Sequence, residues 1–232
     1  MPISAQAQAD PRDGAAGRRG VTALLFAAFC VVLVLAAALI AIALADADAR
    51  CGLRLALARK LPWLAPQAIV AGDSLAACCD FRPLASRPFG VVSLARGGAT
   101  LPEIAGQLGR ASGVEAGVVI VDGGLNDLLS HGASPERIAR DFVALLTLMG
   151  PRDKVVFTLM PHVADSAYSR RIDRANELIG AICREKGVVA LDLNPRLSVG
   201  GVRRPEMTDD GLHFTARANA LWVEALRSLQ KA

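Results

Sequence analysis

Residues 68–75 of the chain read Ala-Ile-Val-Ala-Gly-Asp-Ser-Leu. The first four are apolar and form a short run typical of a strand buried on both faces, which Gly72 ends. Asp73 and Ser74 are both good helix caps, so the pattern predicts a strand that turns directly into a helix. A serine at such a turn is well placed to be a nucleophile, because a helix N-terminus favours developing negative charge. A plain helix cap is the alternative interpretation.

The same rhythm of strand, loop and helix continues toward the C-terminus. Four further apolar runs are predicted as strands: Gly90–Leu94, Ala116–Val121, Val155–Met160 and Val188–Leu191. Helical spacing of apolar residues lies between and after them, over Leu101–Leu108, Pro135–Met149, Tyr168–Glu185 and about Thr215–Leu229. This alternation predicts a three-layer α/β/α sandwich around a five-stranded parallel, flavodoxin-like sheet. In such a fold the site lies at the carboxyl ends of the strands.

A second polar cluster, Asp210-Gly211-Leu212-His213, directly precedes the last predicted helix. A serine is a poor nucleophile until a base takes its proton, and histidine can do so near neutral pH. A carboxylate three residues earlier, on the same turn, can reach Nδ1 of the histidine and hold its tautomer. An N-cap aspartate beside an unrelated histidine is the alternative.

Two glycine-containing clusters follow the second and third predicted strands. They are Gly97-Gly98-Ala99-Thr100 and Gly124-Leu125-Asn126-Asp127. A tetrahedral intermediate needs preorganised donors for its oxyanion, and a glycine N–H and an asparagine amide are suitable. Taken singly, each cluster is also an ordinary turn sequence.

In combination and in order, these four clusters resemble the four blocks of the SGNH hydrolase superfamily, also called Gly-Asp-Ser-Leu (GDSL) hydrolases. The resemblance implies that Ser74 is the nucleophile and His213 the base, with Asp210 orienting the histidine. It also implies an oxyanion hole formed by the N–H groups of Ser74 and Gly98 and the side-chain amide of Asn126. We expect covalent acyl transfer by a Ser-His-Asp triad.

The resemblance extends over roughly Gln67 to Leu229 and implies a serine ester hydrolase, either a carboxylesterase or deacetylase or a lysophospholipase-like enzyme. The expected substrate is a small-molecule, lipid or glycan ester, and the mechanism implies no cofactor and no metal. Two alternatives stay open: an O-acyltransferase that moves an acyl group to or from a glycan, and a non-catalytic glycan-binding module. The chain departs from many relatives at Ala95-Arg96, where they carry an asparagine, and at Ala218, where they carry a glycine.

Four further polar residues near the predicted sheet edge invite weaker interpretations. Asp73 and His162 are candidates for the lining of a substrate pocket, although Asp73 is better suited to shaping its turn. Arg203 and Arg204 precede the Asp210–His213 cluster. They could bind an anionic substrate group, but a solvated loop is the simpler expectation.

The N-terminal part of the chain has a different character. Residues 1–19 are predicted to be a disordered tail. Val21–Ala45 is apolar apart from Thr22, and at about 1.5 Å per residue it forms a helix of roughly 37 Å, enough to cross a bilayer core of about 30 Å. We therefore predict a transmembrane anchor over residues 20–45. A cleaved signal peptide, leaving a secreted protein, is the alternative.

Charges flanking the predicted span give its orientation. Arg12, Arg18 and Arg19 precede it, whereas Asp46 and Asp48 follow it. The positive-inside rule then places the N-terminus in the cytoplasm and the catalytic domain outside, in the periplasm if the source is a bacterium. The bias is weak because further basic residues follow.

Residues 46–66 form a predicted juxtamembrane segment and linker, and residues 67–232 the hydrolase domain. Within the segment, leucines recur at helical spacing among basic residues: Leu53, Leu57, Leu61 and Leu64. This pattern fits a basic amphipathic helix on a membrane surface and equally a domain-edge helix packed on the core.

Composition restricts the partners. The net charge is only +4, and no dense basic tract interleaved with aromatics occurs, so nucleic acid is not expected as a partner. The five cysteines show no metal-ligand spacing and are expected to be buried as small apolar residues. Oligomeric state is left open by the sequence.

Overall fold

A computed structural model describes residues 24, 28–34, 46–149 and 154–230. The chain divides into two compact units, Met1–Arg50 and Cys51–Ala232. In the first unit, residues 28–34 are helical. Among the described residues, no helix has both the length and the hydropathy needed to cross a bilayer. The predicted tail and most of the predicted span at 20–45 fall outside these residues and stay predictions.

The second unit is built around a parallel sheet whose strands appear in the order β2-β1-β3-β4-β5. The strands are β1 Ala68–Ala71, β2 Val91–Ser93, β3 Val118–Asp122, β4 Val155–Thr158 and β5 Val189–Leu191. A short antiparallel hairpin, β6 Ser198–Val199 and β7 Val202–Arg203, lies outside this sheet. The predicted five-stranded parallel sheet is therefore confirmed.

Helices connect the strands and form the outer layers. They are α1 Ala47–Lys60, α2 Ser74–Ala77, α3 Leu101–Arg110, α4 Leu125–Leu129, α5 Pro135–Leu146, α6 Ser169–Lys186, α7 Asn194–Leu197 and α8 Ala216–Leu229. Short 3₁₀ turns, including Pro62–Leu64 directly after α1, complete the described connections. Every strand of the sheet is preceded or followed by a helix, as the alternation of patterns predicted.

Buried side chains form a larger cluster, which includes residues from both faces of the sheet, and a smaller one on one face of β1. Ala68 and Val70 belong to the larger cluster, whereas Ile69 between them belongs to a smaller one with Leu55 and Val92. Successive side chains of a strand point to opposite faces, so the two clusters lie on the two sides of β1. Both faces of the central strand are covered, which explains why its sequence is continuously apolar.

The burial of α1 shows which of its faces packs on the domain, which the sequence left open. Its core-facing residues are Leu55 and Ala58, both buried. The leucine stripe singled out in the sequence faces away, since Leu53 and Leu57 are exposed. The helix is thus packed on the domain by residues outside the predicted stripe, and the outward leucines have no partner in the larger core cluster.

Two other sequence expectations need correction. β5 is not buried on both faces, because it is the last strand in the sheet order and Val189 is exposed. The run at 155–160 ends as a strand at Thr158, since the backbone N–H and C=O of Met160 are bound by the side chain of Asn176.

Among the cysteines, Cys183 is buried as expected but Cys78 is exposed.

Helix α8 fixes the loop that precedes it against the sheet. Trp222 is buried, and its Nε1–H donates to Thr158 Oγ1 at the end of β4 over 3.0 Å. Its ring also makes edge-on contacts with Phe81 and Phe214. A buried tryptophan with a satisfied N–H is a strong anchor. It holds residues 208–214 at the carboxyl ends of the strands.

Candidate active site

Ser74 is held by a rigid turn between β1 and α2. Asp73 is the N-cap of α2, and its side chain accepts a hydrogen bond from the Leu75 N–H over 2.9 Å. Just before it, the backbone of Gly72 is bound twice by the Gln107 amide, at 2.8 Å and 3.0 Å. These bonds fix both sides of the serine, so its hydroxyl is presented in one orientation.

A buried carboxyl pair lies beneath this turn. Asp122, at the end of β3, is so close to Gly72 that a Cβ at Gly72 would stand 1.6 Å from Asp122 Oδ1. Burial and the neighbouring carboxyl of Asp73 raise the pKa of Asp122 well above its usual range, and burial likewise raises the pKa of Asp73. Two neighbouring buried carboxyls cannot both ionise cheaply, so a protonated Asp122 is the favourable state.

His213 connects the last polar cluster to the first. Its Nε2 lies 3.0 Å from Ser74 Oγ, and its Nδ1 lies 2.6 Å from Asp210 Oδ2. Asp210 Oδ1 also accepts the backbone N–H groups of Leu212 and His213, at 2.9 Å and 2.7 Å. The hydrogen bond with the His213 side chain, followed by these backbone bonds, holds the pKa of Asp210 far below its usual range. With Nδ1 donating to a carboxylate, Nε2 is free to accept the serine proton.

The two glycine-containing clusters meet beside the serine. Gly98 has φ +76°, a conformation that favours glycine, and a Cβ at Gly97 would lie 3.9 Å from Ser74 Cβ. Asn126 Nδ2 donates to Ala99 O over 3.1 Å, which ties the third cluster to the second. One of the two amide hydrogens of Asn126 is used in that bond, and the other is available to a ligand.

Arg203 is a functional neighbour that the sequence did not identify correctly. It is 2% exposed, not solvated. Its Nη1 donates to Leu212 O, and its guanidinium stacks on the Phe214 ring at 4.6 Å. It therefore contacts the residue before and the residue after His213. Burial lowers the pKa of Arg203 to about 10, opposed by the charge of Asp210, so it stays a cation at neutral pH.

His162 has no described hydrogen bond to Ser74, Asp210 or His213. It is buried, its Nε2 is 2.7 Å from Asp173 Oδ1 on α6, and its backbone N–H donates to Asn194 Oδ1. Its described contacts hold the loop after β4 in place. Pro161, and not His162, lines a small cavity next to Asp73.

The structure thus brings Ser74, His213 and Asp210 into one hydrogen-bonded chain, with the Gly98 and Asn126 loops beside it. Sequence reasoning missed Asp122 and wrongly expected Arg203 to be solvated. An aspartate that ends a buried strand was a usable signal for the first. Nothing in the sequence distinguished Arg203 from Arg204.

Within the described ranges, no group of three or more His, Cys, Asp or Glu side chains could hold a metal ion.

The parallel sandwich with this polar cluster at its carboxyl edge is the arrangement of the SGNH class of proteins. A sequence profile described as the GDSL-like Lipase/Acylhydrolase family matches residues 70–221, and the chain belongs to this family.

Solved structures share the fold. A GDSL-like lipase from Bacteroides thetaiotaomicron superposes with a TM-score of 0.64 at 15% identity, over 80% of this chain and 97% of the other. The lipase/acylhydrolase from Enterococcus faecalis gives 0.60 at 19% identity, over 72% and 96%. A carbohydrate esterase family 3 protein from Talaromyces cellulolyticus gives 0.56 at 19% identity, over 72% and 98%.

Curated relatives match over a shorter length. An N-acylneuraminate cytidylyltransferase from Streptococcus agalactiae is 30% identical over 129 residues, 54% of this chain. That match spans 31% of the relative, so this chain corresponds to less than a third of it.

Proposed function

We propose that this protein hydrolyses esters of short acyl groups through a covalent acyl-enzyme on Ser74. The observation that carries the proposal is the continuous chain from Asp210 Oδ2 to His213 Nδ1, at 2.6 Å, and from His213 Nε2 to Ser74 Oγ, at 3.0 Å. Both distances are within hydrogen-bond range, as a nucleophile and its base require.

The proposed reaction proceeds in two halves. His213 takes the proton of Ser74 Oγ while that oxygen attacks the acyl carbon, and Asp210 stabilises the imidazolium that forms. His213 then gives the proton to the leaving alcohol, which departs and leaves the acyl group on Ser74. Water attacks the acyl-enzyme in the same way and releases the acid.

The negative charge of each tetrahedral intermediate needs donors that are already in place. The backbone N–H groups of Ser74 and Gly98 and the second amide hydrogen of Asn126 are proposed for this task. The Ala99 bond and the left-handed backbone of Gly98 hold two of them in position before substrate arrives. Such preorganisation is the usual source of a large share of the rate enhancement.

A short acyl group is supported by the description of one structural neighbour as an acetyl-xylooligosaccharide esterase, and the cavity beneath the nucleophile turn is too small for a long acyl chain. This cavity, lined by Asp73 and Leu75, the neighbours of Ser74, has a volume of about 10 Å³, which is about the size of one water. By contrast, a groove of about 560 Å³ runs along Gly97, Gly98 and Ala99. It offers room for a bulky polar alcohol.

A carbohydrate is the proposed carrier of that alcohol. Two structural neighbours are described as a carbohydrate esterase and an acetyl-xylooligosaccharide esterase. The curated relative is named for an acylneuraminate. These names and the polar groove support an O-deacylase acting on a glycan or a related polyol. The cytidylyl transfer of the relative is not proposed for this chain.

The test is hydrolysis of p-nitrophenyl esters from acetate to decanoate, with wild type beside Ser74→Ala. Ser93→Ala is the matched control, because Ser93 is an exposed serine at the end of a neighbouring strand. We expect acetate to be preferred, Ser74→Ala to be inactive and Ser93→Ala to be unaffected. Preference for decanoate would overturn the short-acyl proposal. Wild-type inactivity toward all esters and toward acetylated glycans would favour a binding module.

We also propose that the enzyme is anchored by residues 20–45 with its catalytic domain outside the cytoplasm. The apolar run from Val21 to Ala45 and the basic residues before it support this arrangement. Protease protection in sealed spheroplasts tests it: residues 46–232 should be digested from outside. A protein released into the medium without residues 1–45 would instead indicate a cleaved signal.

A further inference from the structure

Helix α1 carries apolar side chains on both of its faces. Leu55 and Ala58 are buried in the domain, whereas Leu53 and Leu57, four residues apart, share the opposite face and are exposed. A helix that needed only to pack on the domain would show polar residues on its outer face. The outer leucines therefore require a separate explanation.

These leucines belong to a larger exposed surface, called here the α1 patch. Its five members are apolar and exposed: Leu53, Leu57, Trp63, Leu64 and Phe89. Two contacts link Phe89 and Trp63 to the same region. Arg54 of α1 stacks on the Phe89 ring at 5.8 Å and donates to Phe89 O. Arg87, two residues before Phe89, donates to Trp63 O over 3.0 Å.

The concentration of apolar residues here is unusual for this domain. Between residues 46 and 230, the described part of the domain exposes ten large apolar side chains, and five of them are in the α1 patch. The others are distributed over several elements. Contiguous exposed apolar surface, unlike scattered single residues, marks an interaction site.

The backbone conformation of Phe89 is an additional indication that the α1 patch is an interaction site. It is 84% exposed and has φ +60°, a left-handed conformation that is strained for a bulky residue. A glycine at this position would relieve the strain. An aromatic side chain held outward at that cost is a sign of function.

The charges around the patch identify its partner. Residues 51–65 include Arg54, Arg59 and Lys60 and no acidic residue, and Asp48, the one acidic residue of α1, lies in its first turn. A second copy of the chain, packed face to face, would bring these cations against their own counterparts. A membrane surface containing anionic lipids neutralises them instead, and accepts tryptophan, phenylalanine and leucine at the interface.

We infer that the α1 patch rests in the headgroup region of an anionic bilayer. The apolar run that ends at Ala45 is directly before α1 in the chain, so the patch is close in sequence to the predicted anchor. The inference concerns a surface distinct from the Ser74 site, and its test does not use turnover. It can therefore fail or succeed independently of the proposed hydrolysis.

The chain provides its own optical probe. It has two tryptophans: Trp63 in the patch is 69% exposed, and Trp222 in the core is 1% exposed. The full chain is reconstituted into phosphatidylcholine vesicles with and without phosphatidylglycerol, using lipids brominated near the headgroup end of the acyl chains. We expect brominated lipid to quench Trp63 in the anionic vesicles and aqueous iodide to lose access to it. Trp63→Phe should remove the quenched component.

Two variants test the patch itself. Leu57→Glu should lose most of the Trp63 quenching, whereas Val143→Glu on α5, at a position of matched exposure (42% against 40%), should retain it. Phe89→Gly relieves backbone strain and so preserves the fold. It should also weaken the quenching.

Two results would overturn the inference. In the first, iodide still quenches the Trp63 emission and brominated lipid does not, in vesicles that contain the protein. In the second, Trp63 is shielded from iodide but brominated lipid does not quench it, and the shielding increases with the density of protein in the vesicles. This result would identify a second copy of the chain as the partner.

Discussion

His213 Nε2 lies 3.0 Å from Ser74 Oγ, although 139 positions of sequence separate the two residues. The contact depends on both ends of the domain: the turn after β1 fixes the serine, and α8, anchored by Trp222, fixes the loop that carries the histidine. Changes far from the reacting atoms are therefore expected to alter catalysis when they disturb either support.

Asp210→Asn tests the orientation of the histidine. The aspartate accepts from Nδ1 and from two backbone N–H groups, and an amide cannot hold the same imidazole tautomer. We expect kcat to fall roughly 100- to 10,000-fold with little change in KM. The adjacent exposed residue provides the control: Asp209→Asn should retain full activity. Equal activity of the two variants would exclude Asp210 from the triad.

Asn126→Ala tests the proposed oxyanion donor. Loss of one such donor should lower kcat about 100- to 1,000-fold. The variant also loses the bond to Ala99 O, so the melting temperature is measured alongside. Asn176→Ala removes two bonds to the Met160 backbone, which is on the loop after β4 and not in the proposed oxyanion hole. If it lowers kcat as much as Asn126→Ala, the effect is structural and the donor role is wrong.

Arg203→Met tests whether this buried cation positions the histidine loop. Methionine fills similar space but loses the bond to Leu212 O and the stacking on Phe214. Because small displacements of a base are costly, we expect kcat to drop roughly 10- to 100-fold with KM nearly constant. Arg204→Met is the matched control.

A second measurement on Arg203→Met separates positioning from stability. The short Asp210–His213 hydrogen bond should give a downfield proton resonance in the wild type, and this signal should broaden in the variant. If the downfield resonance stays sharp and unshifted while the melting temperature falls, Arg203 contributes to stability and does not position His213.

Asp122→Asn tests the buried carboxyl pair through stability. The folded-state pKa of Asp122 is raised above the ordinary 3.8, so folding favours its protonated form. That contribution is fully present below the ordinary pKa and is lost as pH rises toward the raised value. The melting temperature of Asp122→Asn relative to the wild type should therefore increase from pH 4 to pH 7. A constant difference would show that folding does not raise the pKa of Asp122.

Much of the fold could be predicted because the relevant signals are local. Apolar runs located the strands to within two residues at most ends, and helix spacing located α3, α5, α6 and α8. The polar clusters that end strands or precede helices converged because parallel strands share one carboxyl edge. The spacing of Asp210 and His213 predicted a contact between them, and Asp210 Oδ2 lies 2.6 Å from His213 Nδ1.

What escaped prediction depends on contacts between distant segments. Which side of α1 is buried is decided by Ile69 and Val92 of the sheet, and the leucine stripe alone left this question open. Arg203 and Arg204 are adjacent and chemically identical, yet the hairpin buries only the first. Asp122 gains its partner only when β1 and β3 align side by side.

The order of Ser74 and His213 along the chain has a consequence for biosynthesis. A ribosome that has translated as far as α7 has already made Ser74, but the nascent polypeptide still lacks its base. A nascent chain that ends before His213 and α8 is therefore expected to lack the proposed hydrolysis, which requires both segments to be made and folded.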